Sequence, residues 1–576
     1  MFLPTTKKEI KALGWNKPDI ILITGDSYID SPYIGAAVIG KVLSEAGFKT
    51  AIIAQPDINS DQDIKRLGEP KLFWGVSGGC VDSLVANYTA TKKWRKQDDY
   101  TPGGLNNRRP DRAVIKYTNL IRRYFKNTVP VVLGGIEASL RRISHYDFWS
   151  NKIRKSILFD SKANYLIYGM GEKSIVDLAN NLKQGDSPDD IPGMCYISKD
   201  IREQYIELPS FDDVKSNHKK FIEMFDLFYQ NNDPLTAKGL YQKHDSRFLV
   251  QNPPAKYLTT LELDQVHNLE FERDLHPYYK KIGNVRALDT IKFSIPTHRG
   301  CYGECNFCAI TVHQGRTVRW RSESSILKEA KIISKHQDFK GTITDAGGPT
   351  ANMYGFECKK KLQKGCCSDK RCLYPKICSS LKPNHSSLTQ LLKKIKQIKG
   401  VKNIFSASGI RYDLILSDKT NGRNYLQQLI GHHVSGQLKI APEHTKQNIL
   451  ELMGKTDRGS LLDFKKEFDI ISRKTGKKQY LTYYLIAAHP GCTASDMKSL
   501  KKFTQTKLKT NPEQVQIFTP APSTYSSLMY YTGINPFTEK KLFVEKSLKG
   551  CEKQKQIVIE KNQIQQPRGK KPRSSN

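Results

Sequence analysis

Eight of the twelve cysteines in this 576-residue chain fall between Cys301 and Cys378, and that crowding constrains the fold more than any other feature. A cysteine standing alone is usually a small buried hydrophobe, and Cys80, Cys195, Cys492 and Cys551 are read that way. A crowd of thiols instead ties loops to an inorganic centre. Twelve cysteines are too sparse for a disulfide scaffold at this length, and the opening stretch Met1–Trp15 has no apolar run of the kind that directs export. Reduced thiols or metal ligands, in a cytoplasmic protein, are the expectation.

The first part of the crowd reads Thr297-His298-Arg299-Gly300-Cys301-Tyr302-Gly303-Glu304-Cys305-Asn306-Phe307-Cys308. Its spacing is C-x3-C-x2-C. A short loop with those gaps brings three thiolates onto one compact centre, and Gly300 and Gly303 let the backbone turn tightly around it. Closed zinc sites take four ligands, and iron–sulfur clusters usually take four cysteines. Three ligands mean either a fourth from elsewhere or a cluster with one open iron. His298 or Cys358 would complete a zinc knuckle; an open iron would offer a coordination position for chemistry.

Cys358, Cys366, Cys367, Cys372 and Cys378 form a second group in a basic, Gly/Pro-punctuated loop, KKKLQKGCCSDKRCLYPKIC. Cys358, Cys367, Cys372 and Cys378 would supply four ligands, with Cys366 spare. An auxiliary iron–sulfur cluster, a structural zinc ion and plain thiols in a lid all stay open.

The chain around these loops alternates strand-like and helix-like runs, which implies a parallel sheet or barrel. After the first cysteine group come a helical stretch at 324–335 and β-rich runs at 341–345, 401–407, 437–441, 480–488 and 515–519. Each run ends in glycine, proline or polar residues, where barrel folds bind ligands. Before it, runs at 19–25, 51–54, 72–77, 129–133 and 165–168 end largely in glycine pairs. They predict an open, doubly wound α/β domain over residues 1–200. Residues 201–286, rich in charge, aromatics and Asn, read as a connector with helical stretches such as 218–229. Residues 287–552 hold the second domain, with the cysteine-rich insertion at 358–378. Residues 553–576 read as a basic disordered tail.

Cys301, Cys305, Cys308 and the aromatic Phe307 match the signature of the radical S-adenosylmethionine (SAM) superfamily. The strings GGPTANMYGFEC, CLYPKIC, GIRYDL, LKIAPEHT and FTPAPSTYSSLMYYTG narrow the likeness: from about residue 20 to about 540 the chain resembles the YgiQ family of radical SAM proteins. The resemblance implies a partial (βα)6 barrel in which the three cysteines hold a 4Fe–4S cluster. SAM would chelate the fourth iron, and one electron would cleave it to a 5′-deoxyadenosyl radical. It further places Phe307 near the adenine and Gly347 and Gly348 at the SAM amino group, with Pro349 where the superfamily usually has Glu. Ser408, Arg411 and Glu443 resemble polar SAM contacts; turn chemistry or ion pairing would account for them equally. The N-terminal layout resembles cobalamin-binding domains that precede some radical SAM barrels. Those often offer a histidine to cobalt, whereas Ser31 and Pro32 occupy the matching stretch. A histidine-free cobalamin mode and a Rossmann-like domain with another ligand, or a vestigial site, are both open.

Lys and Arg exceed Asp and Glu by 35 charges, and hydrophobic residues make up 38% of the chain. The apolar share suffices for packed cores, and no stretch approaches the length that crosses a bilayer. The positive excess would attract polyanions, so RNA stands as a partner beside a small-molecule substrate. The leading expectation is a radical SAM enzyme that needs an electron donor and acts on an unknown substrate. The competing one is a zinc- and RNA-binding module without redox chemistry.

Overall fold

The structure is a computed structural model, and it describes residues 1–559. Strands β1 (Ile20–Thr24), β2 (Thr50–Ala54), β3 (Phe73–Ser77) and β4 (Val131–Gly134) come first in the chain. A small hairpin, β5 (His145–Asp147) with β6 (Lys152–Arg154), then precedes β7 (Tyr165–Ile167). The sheet order β2-β1-β3-β4-β7 is parallel throughout. Every residue of β1 and β2 is buried, as expected of strands covered by helices on both faces. Hydrophobic cores lie on either side, one around Ile21, Trp74 and Tyr117, the other around Ile20, Leu22 and Leu178. The doubly wound domain is therefore present, with its strand order reversing between β1 and β3.

Its extent differs from the expected 1–200. Strands β8 (Met194–Ser198), β9 (Ile206–Leu208), β10 (Leu240–His244) and β11 (Arg247–Gln251) continue the same sheet in the order β7-β8-β11-β10-β9. Much of the expected connector is thus the far half of one nine-stranded sheet. Charged and amide residues hide these strands in the sequence. Gln242, Gln251 and Asn252 are fully buried, and each finds a polar partner inside the fold. The helical stretch falls at His218–Gln230.

The second domain is built from β12 (Ser294–Pro296), the two-residue pair β13 (His298–Arg299) and β14 (Arg319–Trp320), β15 (Thr342–Ile343) and β16 (Asp345–Gly347). Then follow β17 (Asn403–Ile404), β18 (Gln437–Glu443), β19 (Tyr480–Ala487) and β20 (Val515–Ile517). Only Thr344 separates β15 from β16, so they act as one strand: β16 pairs with β12 and β15 with β17, both parallel. A parallel bridge from Ile410 to Ile440 joins the β17 segment to β18, and β18, β19 and β20 pair in parallel. This gives six parallel strands in chain order. Among the described residues no ladder joins β20 back to β12, which leaves the barrel partial. The helix expected at 324–335 is Glu323–Ser334, capped by Ser322, whose hydroxyl accepts from Ser325 N.

The expected tail begins too early. Leu548–Ile559 is a helix whose Gln554 and Val558 are buried. The Gln554 amide accepts from Ala488 N at 3.0 Å and donates to Cys492 O at 3.0 Å, so a polar-looking stretch is pinned to the end of β19. Residues 560–576 of that expectation lie outside the described residues. No helix of the described residues is long and apolar enough to cross a membrane.

Candidate functional site

The first cysteine loop spans the gap between β13 and β14, just beyond the carboxyl end of the first barrel strand. Gly300 has φ +80°, and a Cβ there would lie 2.4 Å from Thr317 O, so only glycine opens this loop. Gly303 acts differently from the expected tight turn. A Cβ on it would come 3.2 Å from Cys301 Sγ and 3.6 Å from Cys305 Sγ, so the missing side chain leaves room for two sulfurs around one small space. Gly303 N also donates to Cys301 Sγ at 3.3 Å. Cys308 closes the loop, its N–H donating to Cys305 O at 3.0 Å. Asn306 braces the turn: its N–H donates to Met453 O, its amide to Leu452 O, and its carbonyl accepts from Ser526 N.

Burial raises the thiols of Cys301 and Cys308, and the neighbouring thiols add to it; Cys308 is pushed up to about 12. Without a compensating cation these groups hold their protons, whereas a bound metal charge would release them. Arg411 is the nearest cation, its guanidinium 3.8 Å from Cys305 Sγ. Arg411 also donates to Asp413 at 2.9 Å, and Asn352 clamps its backbone at both N and O. Burial alone would raise Asp413, but the Arg411 charge and hydrogen bonds hold its carboxyl below the ordinary range.

The remaining expected positions lie at the carboxyl ends of neighbouring strands. Gly347 and Gly348 end β16. A Cβ on Gly348 would lie 2.5 Å from His298 Nε2, so this glycine makes room for an imidazole first. His298 itself is spent, with Nδ1 on Thr297 Oγ1 at 2.8 Å and Nε2 on Thr350 O at 3.0 Å, so it has no free nitrogen for a zinc knuckle. Thr350 Oγ1 is 3.5 Å from Cys301 Sγ. Ser408 is committed elsewhere than expected: its hydroxyl donates to Asp345, which also accepts from the backbone N–H groups of Ala407 and Ser408. Glu443 ends β18 with φ +66°, a left-handed conformation rare for a glutamate, and its carboxylate is 3.9 Å from Lys455 Nζ. Burial raises the Glu443 carboxyl, against the lowering charges of Lys455 and Arg411. Phe307 packs at the seam between the two domains' cores and meets the edge of His489 at 6.4 Å.

A cavity of about 540 Å³ lies between the carboxyl edge of the N-terminal sheet and the barrel. Gly347, Gly348, Pro349 and Ser408 form its barrel wall, and Ser77, Gly79 and Gly135 face them from the sheet. This wall meets the cysteine loop where Thr350 touches Cys301. Glycine is required at the sheet's switch point: a Cβ on Gly25 would lie 2.2 Å from Gly78 O, and one on Gly79, at φ +107°, 2.2 Å from Asp26 Oδ1. Below the turn, Arg109 pairs with Asp26 at 2.8 Å and Asp98 at 3.1 Å, all buried. Cys80 departs from the simple buried reading, since it lines this cavity. Cys195, Cys492 and Cys551 are buried as expected.

The second cysteine group lies behind the first loop. Cys358, Cys366, Cys367, Cys372 and Cys378 line one small pocket together with Glu304, the residue preceding Cys305. The segment is irregular apart from one short helix, Lys359–Lys364. Among the described residues, no three Cys, His, Asp or Glu side chains converge on a point where a single ion would sit.

Sequence reading missed the pairs that join these parts. Arg299, inside the cysteine motif, forms an ion pair with Glu172, which follows the Gly169-Met170-Gly171 turn. Each residue adjoins a glycine, Gly300 or Gly171, and that adjacency is the signal the sequence offers.

The family described as Radical SAM N-terminal matches residues 2–294. A UPF0313 protein of Fusobacterium nucleatum is 59% identical over 561 residues, covering 97% of this chain and 99% of its own. The chain belongs to the UPF0313 family of YgiQ-like radical SAM proteins. Another UPF0313 protein, from Thermotoga neapolitana, is 50% identical and covers 99% of this chain and all of its own. Among solved structures, the radical SAM methyltransferase TsrM of Kitasatospora setae, with tryptophan and a SAM analogue bound, covers 88% of this chain and 75% of its own. Its identity is 13% and its TM-score 0.49, a likeness too slight to carry a functional comparison. Membership makes this UPF0313 protein a radical SAM enzyme and does not favour the zinc- and RNA-binding module.

Proposed function

We propose that this enzyme holds a 4Fe–4S cluster on Cys301, Cys305 and Cys308 and cleaves SAM reductively beside the interdomain cavity. The observation that supports it is the pairing of the Cys301 and Cys305 sulfurs around Gly303, next to Arg411 and at the carboxyl ends of six parallel strands. A cube bound by one sulfur per iron needs thiols grouped around a volume, not converging on a point. The chemistry such a cluster supplies when bound is one-electron cleavage of the SAM sulfonium, giving methionine and a 5′-deoxyadenosyl radical.

The chain's own residues do the rest. Arg411 places a positive charge against the anionic sulfur of Cys305, and Asp413 and Asn352 fix its orientation. Gly347 offers backbone without a side chain to the methionyl amino group. Glu443 supplies a carboxylate already stripped of water to a donor on SAM, and Phe307 supplies an apolar edge for the adenine. The cavity encloses the substrate and keeps water from the radical. The substrate stays open between a small molecule and a nucleoside within RNA, and an external low-potential donor supplies the electron.

A second reading concerns the N-terminal sheet, whose switch point between β1 and β3 opens into the cavity. Cobalamin would fit there without a cobalt-bound histidine from this sheet edge, since Asp26–Pro32 contains no imidazole. A spectral titration with hydroxocobalamin tests it; an unchanged spectrum removes it.

The main reading is tested by reconstituting the full chain anaerobically with iron and sulfide, then adding SAM and a strong reductant. The expected results are a reduced-cluster spin signal that changes on adding SAM, and release of 5′-deoxyadenosine. Protein that takes up no iron, or that takes it up and releases no 5′-deoxyadenosine, contradicts the reading.

A further inference from the structure

The pocket behind the first cysteine loop holds five thiols and a charge imbalance, and the radical SAM reading explains neither. Lys361 is 4% exposed, and among the described residues no carboxylate lies within 4.0 Å of its ammonium. Its Nζ donates to Arg316 O at 2.6 Å and to Cys372 Sγ at 3.5 Å, and it lies over the Tyr302 ring at 5.7 Å. Arg316, equally buried, pairs with Glu304 at 3.3 Å, while its Nε is buried without a partner. Arg371 spends its hydrogen bonds on Glu304 O and Asn306 Oδ1 and lies over Tyr525, again with no carboxylate. Three cations therefore face one paired carboxylate, Glu304, and one buried carboxylate without an ion pair among the described residues, Asp233 beside Cys366. A buried ammonium without its own carboxylate is costly, so a pocket built this way needs anions that its side chains at their ordinary charges do not fully supply. Thiolates held by a metal are such anions, and Cys372 is the atom to which Lys361 points.

The placing of the sulfurs bears on which metal. A tetrahedral zinc site holds each sulfur about 2.3 Å from one ion, which draws the thiols to a common point. Here all five thiols line the pocket, and among the described residues no three of them converge on such a point. A polynuclear cluster, with each cysteine on its own iron, requires none. Cys366 is the outlier, because its thiol lies beside the buried carboxylate of Asp233 in the N-terminal domain, a negative charge that disfavours a thiolate there. Four sulfurs remain: Cys358, Cys367, Cys372 and Cys378.

We propose that Cys358, Cys367, Cys372 and Cys378 hold a second, fully ligated iron–sulfur cluster, with Lys361 as its buried counter-charge. It would sit directly behind the first loop, joined to it through Arg371 on Glu304 and Asn306 and through Tyr302 on Lys361. A closed cluster in that place binds no cosubstrate; it is placed to hold an electron next to the open one.

The full chain, purified and reconstituted without oxygen, provides the test. The triple variant Cys301→Ala/Cys305→Ala/Cys308→Ala is expected to keep about half of the wild-type iron and sulfide, with an iron–sulfur Mössbauer spectrum that SAM does not alter. The double variant Cys358→Ala/Cys372→Ala is expected to lose the other half and keep the SAM-sensitive signal. Lys361→Met is expected to move the potential of the SAM-insensitive cluster downward, since removing a cation disfavours the more negative reduced state. A triple variant with no iron, or with zinc in its place, overturns the proposal even where the double variant fails to fold. An unchanged potential in Lys361→Met overturns the role given to that lysine. If the triple variant keeps its cluster while wild type cleaves no SAM, the proposed function fails and this one stands.

Discussion

The two cysteine loops lie back to back, yet their surroundings are opposite. The loop of Cys301, Cys305 and Cys308 meets the interdomain cavity and has poised groups around it: a guanidinium facing a sulfur, and a glutamate in a strained backbone. The loop of Cys358–Cys378 lines a small pocket flanked by Lys361, Arg316 and Arg371. Three thiols with a polar opening suit a centre that reacts; five thiols beside two buried cations and a half-buried one suit one that stays put. What separates them is less the cysteine count than where the compensating charge sits. On the open side it leaves a gap for a ligand, and on the closed side it fills the space.

The sharpest way to break the comparison is Cys305→Ala. If the open loop alone reacts, this variant loses SAM cleavage by about 10³-fold or more, which corresponds to about 4 kcal/mol of activation free energy. Its folded stability should stay close to wild type, because Cys305 is only partly buried. The readout is 5′-deoxyadenosine per cluster, with thermal unfolding as the control. Cleavage that survives would transfer the chemistry to the other loop.

Arg411→Met comes next. Removing the guanidinium leaves Asp413 buried without its partner, which costs about 3–5 kcal/mol in pairs of this kind. Denaturant unfolding of the metal-free chain measures it. The double variant Arg411→Met/Asp413→Asn should recover much of that stability and none of the SAM cleavage. Recovery of both would make Arg411 an ordinary ion-pair residue.

How far the sequence disclosed these loops depends on how local each signal is. Five of the six barrel strands, all but Ser294–Pro296, and the first five sheet strands are readable because their runs end at glycine, proline or polar residues, and that punctuation is local. The strands at Leu240–His244 and Arg247–Gln251 are not, since buried Gln242 and Gln251 find partners about a hundred residues away. The three-cysteine spacing was likewise plain, whereas the commitment of Ser408 to Asp345 depends on two strands meeting. Lys361 looked like one lysine among many in a basic loop. Only packing reveals that it is buried and that, among the described residues, no carboxylate lies within 4.0 Å of it.

Glu443→Gln sharpens the account of the open side. If the carboxylate receives a hydrogen bond from SAM, the amide should weaken SAM binding about 10–100-fold, the range for a charge-assisted hydrogen bond. Stability should move the other way with pH. Burial, set against Lys455 and Arg411, raises the folded pKa of Glu443. Wild type therefore holds the associated stability below the unfolded pKa and loses it as pH rises through the folded one. The glutamine does not titrate, so the variant should gain on wild type as pH rises. Unfolding midpoints at about pH 5 and about pH 8 give the sign. A variant that falls further behind wild type at the higher pH would mean that the Lys455 contact outweighs the burial of the charge.

Cys366→Ser should do least, and it tests how the closed loop is divided. The Cys366 thiol lies beside the buried Asp233 carboxylate, and a serine hydroxyl fits the same place with little change in volume. Stability should change by about 0.5 kcal/mol or less, as for most substitutions that preserve packing and partners. Iron in the triple variant of the open loop should be unchanged, because four other sulfurs remain. Cys367→Ser, one residue on and in the same pocket, should lose that iron, since a hydroxyl replaces a thiolate ligand. Adjacent positions with opposite outcomes would show that the loop distinguishes a cysteine beside a carboxylate from a ligating one. The reverse pattern would put Cys366 in the ligand set, with the buried Asp233 carboxylate facing metal-bound sulfur. That juxtaposition is unfavourable, and it is why Cys366 is left out of the ligand set.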